Sequence, residues 1–296
     1  MTATSIFDRE VVLPDDQLTR QAQTLLGFEA RYQRVNRQLR LLLHLDDLAG
    51  WSKRHHGRTT RICSFVAEQY PLVIFHGDVG TGKTVTAEGI ANRLILEDAA
   101  ADDSVLYKLS TRVRGTGKVG EMGTLINQAF EDIVRAAKHR RAILIIDEGD
   151  SLASARTQEH SHHEDKVAVN TLIQRIDDLK QYCGRILVIL CTNRLSALDP
   201  AIIRRAAVVD AFTRPSDEER HDLFLQDLGD LGLSGDDLER LVAATGTHGV
   251  PWTYSDIRTR LYPAALSRAY PDERLGITYL LDAARSLTPS PVLEDR

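Results

Sequence analysis

The stretch GDVGTGKT places Gly77, Gly82, Lys83 and Thr84 at the fixed positions of the pattern G-x-x-x-x-G-K-[ST]. Those residue types at that spacing handle phosphate. Glycines let backbone N–H groups approach phosphate oxygens closely, the lysine neutralises the outer phosphates, and the threonine hydroxyl ligates magnesium. Gly77, Asp78, Val79, Gly80, Thr81, Gly82, Lys83, Thr84 and Val85 are therefore the candidate cradle of a nucleoside triphosphate. A chance glycine-rich turn would carry no particular context. Here Val73, Ile74 and Phe75 precede the loop as a short apolar strand, and TVTAEGIANRLI follows it as a helix.

A second chemical stretch is ILIIDEGDSL, an apolar run ending in two carboxylates, Asp147 and Glu148. An acidic pair at a strand end can merely cap a helix. On a second buried strand downstream of a phosphate loop, it has the form of a Walker B element. Asp147 then joins Thr84 at the magnesium ion, and Glu148 orients and polarises the attacking water. Phosphoryl transfer requires placed charge and little covalent chemistry from the protein. Asn193, ending RILVILCTN, is a candidate to hold the water or the γ-phosphate. Arg204 and Arg205 lie on a short helix predicted within RLSALDPAIIRRAAVVD. One of them could reach a neighbouring subunit's nucleotide, or the pair could be a surface cluster favoured at a helix end by the dipole.

Positioning these groups requires strands that end where the chemistry begins. SVLYKLS (104–110), AILIID (142–147) and RILVILCTN (185–193) read as buried strands. GTLINQAFEDIVRAAKH (123–139) and KVAVNTLIQRIDDLK (166–180) read as helices, the latter with an apolar stripe through Val169, Leu172, Ile173, Ile176 and Leu179. Such alternation predicts a parallel sheet between helices. Residues 1–16 lack periodicity and read as an extended or mobile lead-in, and 17–48 as a helix or a helical pair broken near Gly27. Beyond Pro215 only helical patterns follow, opened by a capping-box-like Ser216-x-x-Glu219. The expected architecture is an α/β P-loop domain with a smaller all-helical lid. Residues 1–50 form the N-terminal segment, 51–214 the nucleotide-binding domain, and 215–296 the lid with a short polar tail.

The composition suits a soluble globular chain, with 43% hydrophobic and 27% charged residues among 296. No apolar run approaches the roughly 20 residues of a membrane span. MTATSIFDRE lacks the basic and apolar regions of a signal peptide. Cys63, Cys183 and Cys191 have no metal-ligand spacing and are odd in number, so reduced thiols in a cytoplasmic protein are expected. The net charge of −5 conceals a basic stretch: residues 30–61 hold eight Lys/Arg against Asp46 and Asp47. Arg31, Arg34, Arg37 and Arg40 recur along one side of a helix, which suits a nucleic-acid patch, a contact with an acidic neighbouring subunit, or a solvated face.

GDVGTGKT, IIDE, CTN and LDPAIIRR together resemble the AAA+ ATPases from about Leu72 to the helical lid. IIDEGDSLASAR, KVAVNTLIQRIDDLK and LDPAIIRRAAVVDAFTRPS are similar to the HORMA-remodelling branch, the pachytene-checkpoint and thyroid-receptor-interactor type. The short chain, with no separate adaptor-binding N-terminal domain, looks like the bacterial members linked to anti-phage signalling operons. The resemblance implies an ATP hydrolase forming a homo-hexameric ring, with a HORMA-domain protein as substrate, alone or within a signalling-nucleotidyltransferase complex. It implies an arginine finger at Arg205, and a lid arginine toward the nucleotide at Arg258, with Arg260 as the alternative. Lys118 and Val119 fall where the family's pore loop carries an aromatic and a second bulky residue, and RGTGKVGEMG departs from that pattern in having no aromatic. The competing reading is an AAA+ protein acting on nucleic acid, such as a loader, an initiator or a transposition regulator. The basic region 30–61 favours it, while the lack of a recognisable DNA-binding pattern in the given sequence after the expected lid weighs against it.

Two further features read as incidental. HSHH (160–163) lacks the partners of a metal site and is expected to be a polar loop. Leu26-Gly27-Phe28 resembles a protease-docking tripeptide, but it lies before the phosphate loop within a helical stretch and is expected in the core.

Overall fold

The computed structural model describes residues 6–98, 104–110, 121–152, 163–246 and 249–293. It divides into two compact units. One comprises the chain up to His76 with Thr84–Ala211, and the other Gly77–Lys83 with Phe212–Glu294.

The first unit is built on a sheet of strands β1 (Phe7–Leu13), β2 (Leu72–Gly77), β3 (Ser104–Leu109), β4 (Ala142–Ile146), β5 (Ile186–Thr192) and β6 (Val208–Phe212). Their order is β1-β3-β4-β5-β2-β6. Pairings β3–β4, β4–β5 and β5–β2 are parallel, with Ile146 opposite Leu190 and His76 opposite Thr192. Every residue of β4 and β5 is buried, as strands covered on both faces must be. One face packs against α6 (Glu121–Ala136) and α8 (His163–Asp178) through Ile126, Phe130, Ile133, Leu172 and Ile176. On the other face, Ile143 and Leu187 share a cavity with Tyr32 of α2 (Phe28–Leu43) and Leu94 and Ile95 of α5 (Lys83–Leu96).

Both edge strands depart from the sequence reading. Residues 7–13 are no lead-in: β1 pairs antiparallel with β3 and belongs to the same unit as the sheet. Residues 208–212 are strand, and the short helix expected within 194–210 is α9 (Pro200–Ile203), which ends just before Arg204 and Arg205. In each strand a charged residue sits in the inward-facing row, partly buried in β1 and buried in β6, and hides the alternation. Arg9 of β1 bonds Glu88 of α5 at 3.1 Å. Asp210 of β6 accepts from Arg31 of α2 and, at 3.0 and 3.1 Å, from Arg34. Two of the four periodic arginines are thus fastened to the chain's own sheet, while Arg37 and Arg40 are exposed.

The helical pair breaks at Gly27, whose φ of 67° ends the turn between α1 (Asp16–Gln23) and α2. Leu26 and Phe28 are half-buried there rather than core. Two further helices, α3 (Leu45–His56) and α4 (Arg61–Ala67), precede β2. Cys63 and Cys191 are buried, Cys183 is exposed, and none of the three is in a disulfide.

In the second unit, α10 (Asp217–Leu228) begins with the predicted capping box, in which Ser216 and Glu219 satisfy each other's backbone donors. Helix α11 (Gly235–Ala244) repeats it with Ser234 and Asp237. The helix expected over 255–270 starts as a π-helical turn, Asp256–Leu261, before α12 (Tyr262–Ala269). Pro263 lacks the N–H that an uninterrupted α ladder needs, and the wider turn accommodates it. Helix α13 (Ile277–Ser286) closes the unit, burying Leu280 and Leu281 in a core with Phe224, Leu241, Trp252 and Ile257. No helix of the described residues is long and apolar enough to cross a membrane.

Candidate active site

The candidate residues follow the carboxyl ends of the parallel strands, where open α/β sheets place their ligands. In the first unit, Thr84 lies in the first turn of α5, and its hydroxyl is 3.0 Å from both carboxylate oxygens of Asp147, which directly follows β4. Hydroxyl and carboxylate oxygens together form a hard donor set suited to Mg2+. Glu148 follows in a left-handed backbone conformation, φ 51°. A non-glycine residue there costs about 1–2 kcal/mol, the kind of local strain found at functional positions. Behind it Gly149, the first residue of α7 (Gly149–Leu152), is required by space. A Cβ there would come within 2.4 Å of Leu190 Cδ2. The carboxyl-bearing turn is thus pressed onto β5. Asn193, half-buried, directly follows that strand.

In the second unit, the phosphate loop wraps its own lysine. Lys83 Nζ donates to Gly77 O at 2.9 Å and Asp78 O at 2.8 Å, and Thr81 Oγ1 donates to Asp78 O at 2.7 Å. Gly77 has a φ of 136° and lies against Phe212, where a Cβ would come within 1.9 Å of the carbonyl oxygen. No other residue fits this position. Val79 is exposed, and Gly80 and Gly82 also have positive φ.

The arginines are placed differently. Arg205 is held by Asp177 at the end of α8, Nε to Oδ1 at 2.5 Å and Nη2 to Oδ2 at 2.9 Å, with Nη1 on Ala201 O at 2.8 Å. Its guanidinium lies 5.3 Å from the ring centre of Tyr70. The hydrogen bonds to Asp177 hold its pKa above the usual arginine value. Arg204 is exposed, with Nε 3.3 Å from Pro200 O. Arg258 lies on the π-helical turn and forks onto Asp227 of α10 at 2.8 and 2.7 Å. Arg260 bonds Asp256 at 2.9 Å. Both lid arginines are therefore engaged by carboxylates of their own unit. The pore-loop candidates Lys118 and Val119 lie outside the described residues, as does most of HSHH.

Sequence reasoning missed Lys108, whose Nζ is 3.2 Å from Asp147 Oδ2. The signal existed, since it is the lone charge in the otherwise apolar strand SVLYKLS. It also missed Asp177 and Arg214, whose tasks depend on contacts between distant parts of the sequence.

A parallel sheet with a glycine loop entering a helix from one strand and an acidic pair leaving another defines a P-loop nucleoside triphosphatase. The sequence profile of the "ATPase family associated with various cellular activities (AAA)" matches residues 73–214. CD-NTase-associated protein 6 of Escherichia coli (strain KTE188) is 58% identical over 298 residues, covering 100% of both chains. Among solved structures, a chain in the E. coli MS115-1 HORMA:CdnC:Trip13 complex matches with a TM-score of 0.90 and 35% identity, covering 99% of this chain and 100% of that one. Rhizobiales Trip13 matches with a TM-score of 0.72 and 31% identity, covering 96% and 99%. The chain belongs to the AAA ATPases and, within them, to the family of CD-NTase-associated protein 6, similar to Trip13.

Proposed function

We propose that this chain is an ATP-driven protein remodeller in the cytoplasm. As a homo-hexameric ring, it grips a segment of a HORMA-domain partner and converts or disassembles the partner's complex, regulating an anti-phage signalling system. The observation that carries this reading is the end-to-end likeness to the chain found in a HORMA:CdnC:Trip13 assembly. Work on a partner needs an energy source, because a ligand with equal affinity for two states shifts neither. ATP hydrolysis is that source.

In this proposal the loop Gly77–Lys83 and residues Thr84 and Val85 hold the phosphates. Thr84 and Asp147 would hold Mg2+, which when bound offsets phosphate charge. Glu148 polarises the attacking water, and Asn193 orients the water or the γ-phosphate. Arg205, leaving Asp177, serves the nucleotide of the next subunit, with Arg204 as its exposed neighbour. Arg258 would approach the nucleotide only by exchanging Asp227 for it. Lys118 and Val119 grip substrate in the pore. With Arg31 and Arg34 fastened to Asp210, the basic stretch gives less support to a nucleic-acid partner.

The test is capture by a hydrolysis-deficient ring. Glu148→Gln protein with ATP is expected to retain a purified HORMA-domain protein through size-exclusion chromatography, while ADP releases it. Elution of the two proteins apart in ATP would refute the proposed partner.

A further inference from the structure

The outer side of the phosphate loop is held by a part of the chain with no role in the chemistry described above. Asp78, the second residue of the loop, is one-tenth exposed at its side chain and accepts from Arg214 Nε at 2.6 Å. Its other oxygen accepts from Val79 N at 2.8 Å and Leu293 N at 3.4 Å. Arg214, itself 8% exposed, turns its remaining donors onto backbone carbonyls. Nη1 meets Pro251 O at 2.9 Å, and Nη2 meets Ser290 O at 2.8 Å and Pro291 O at 3.0 Å.

The C-terminal run is fixed a second time. Ser290 donates to Asp256 from its hydroxyl at 2.6 Å and from its backbone at 3.2 Å. Asp256 also accepts from Thr253 N at 3.1 Å and Oγ1 at 3.0 Å, and from Arg260 at 2.9 Å. Burial pushes the Asp256 carboxyl up, but these hydrogen bonds outweigh it and hold the group below the usual carboxylate range. Beside it, Ser255 N donates to Gly80 O at 3.1 Å. The loop is thus tied to the lid at Asp78 and at Gly80.

We propose that residues 288–293 form a strap on the phosphate loop, and that Arg214 is the positioning residue through which the strap sets the ATP-binding shape of that loop. An exposed ion pair would contribute little, but this one is largely out of water, and its guanidinium makes four hydrogen bonds that a lysine could not reproduce. Among the described residues, the one carboxylate on Arg214 belongs to the phosphate loop. Releasing the strap removes two carbonyls from Arg214 and one N–H from Asp78 together. A partner that grips the chain's C-terminal run would therefore lower its affinity for nucleotide. The proposal rests on the reading that the loop holds ATP.

The experiment compares ATP Kd, KM, kcat and Tm for the parent, Arg214→Met, Arg214→Lys and a chain ending at Leu287, with Lys83→Ala as reference. Arg214→Met and the shortened chain are expected to raise Kd and KM about tenfold, the scale of one hydrogen bond to a charged group, with a smaller change in kcat. Combining the two should add little, because both break the same linkage. Arg214→Lys should fall between parent and Met. A purely structural strap would lower Tm and leave Kd unmoved. Unchanged Kd in the shortened chain overturns the proposal, and that chain decides the matter if Arg214→Met fails to fold. Full ATP binding by Lys83→Ala would instead overturn the assignment of the loop.

Discussion

Gly80→Ala probes the loop at a position where the lid leaves no room. Its φ of 76° is left-handed, and an added Cβ would lie 2.7 Å from Thr253 Oγ1 and 2.9 Å from Ser255 Cβ. The backbone conformation alone costs an L-residue about 1–2 kcal/mol, and forcing atoms into filled space costs about 1–3 kcal/mol more. The loop can relieve part of that by shifting, but the shifted loop no longer presents its N–H groups to phosphate. The cost then reappears in binding, where even about 2 kcal/mol weakens ATP about 30-fold. Calorimetric titration with ATP measures this, and a thermal melt reports what remains in folding. Gly50→Ala is the control. It lies within α3 with no heavy atom within 4 Å of the new Cβ. It should stabilise by roughly 0.5–1 kcal/mol and leave ATP binding unchanged. A Gly80→Ala protein that binds ATP and melts like the parent would refute the loop–lid packing.

Glu148→Gln keeps shape and hydrogen bonding but removes the charge that activates water. ATP should still bind, while steady-state turnover falls at least about 10²-fold, and near-normal turnover would sink the Walker B role. Arg205→Ala should bind ATP but lose hydrolysis on the order of 10³-fold. Mixing it with Lys83→Ala subunits should restore part of the activity, since intact fingers then face intact loops, and a dead mixture of demonstrably mixed rings would rule out the trans role. Replacing Lys118 and Val119 together by Ala should leave basal ATPase nearly intact and abolish partner separation, whereas full separation would place the grip elsewhere.

The central sheet and the ATPase class are legible because each rests on short-range pattern. The strands β4 and β5 are almost wholly apolar runs, β2 opens with one, β3 carries a single charge at Lys108, and the loop's glycines mark themselves. The lid helices announced themselves through a capping box and apolar periodicity. What escaped was fixed by distant partners. Arg9 and Asp210 occupy inward-facing rows of edge strands only because Glu88 and Arg31 with Arg34 compensate them. Without those partners in view, FDREVVL reads as a lead-in and VVDAF as the end of a helix. The same holds for the site's periphery. Asp177 occupies Arg205, and Asp227 occupies Arg258, which no spacing rule announces. Arg214, next to Pro215, reads as a linker residue until Asp78 and the C-terminal run close around it.

Separation of a purified HORMA-domain partner from its complex, followed in the same tube as ATP hydrolysis, tests the account most directly. The partner is expected to stimulate turnover, and separation to proceed with ATP and Mg2+ but not with a non-hydrolysable analogue or with Glu148→Gln protein. Separation that proceeds equally without hydrolysis, or hydrolysis that continues unchanged while the complex stays whole, would contradict it.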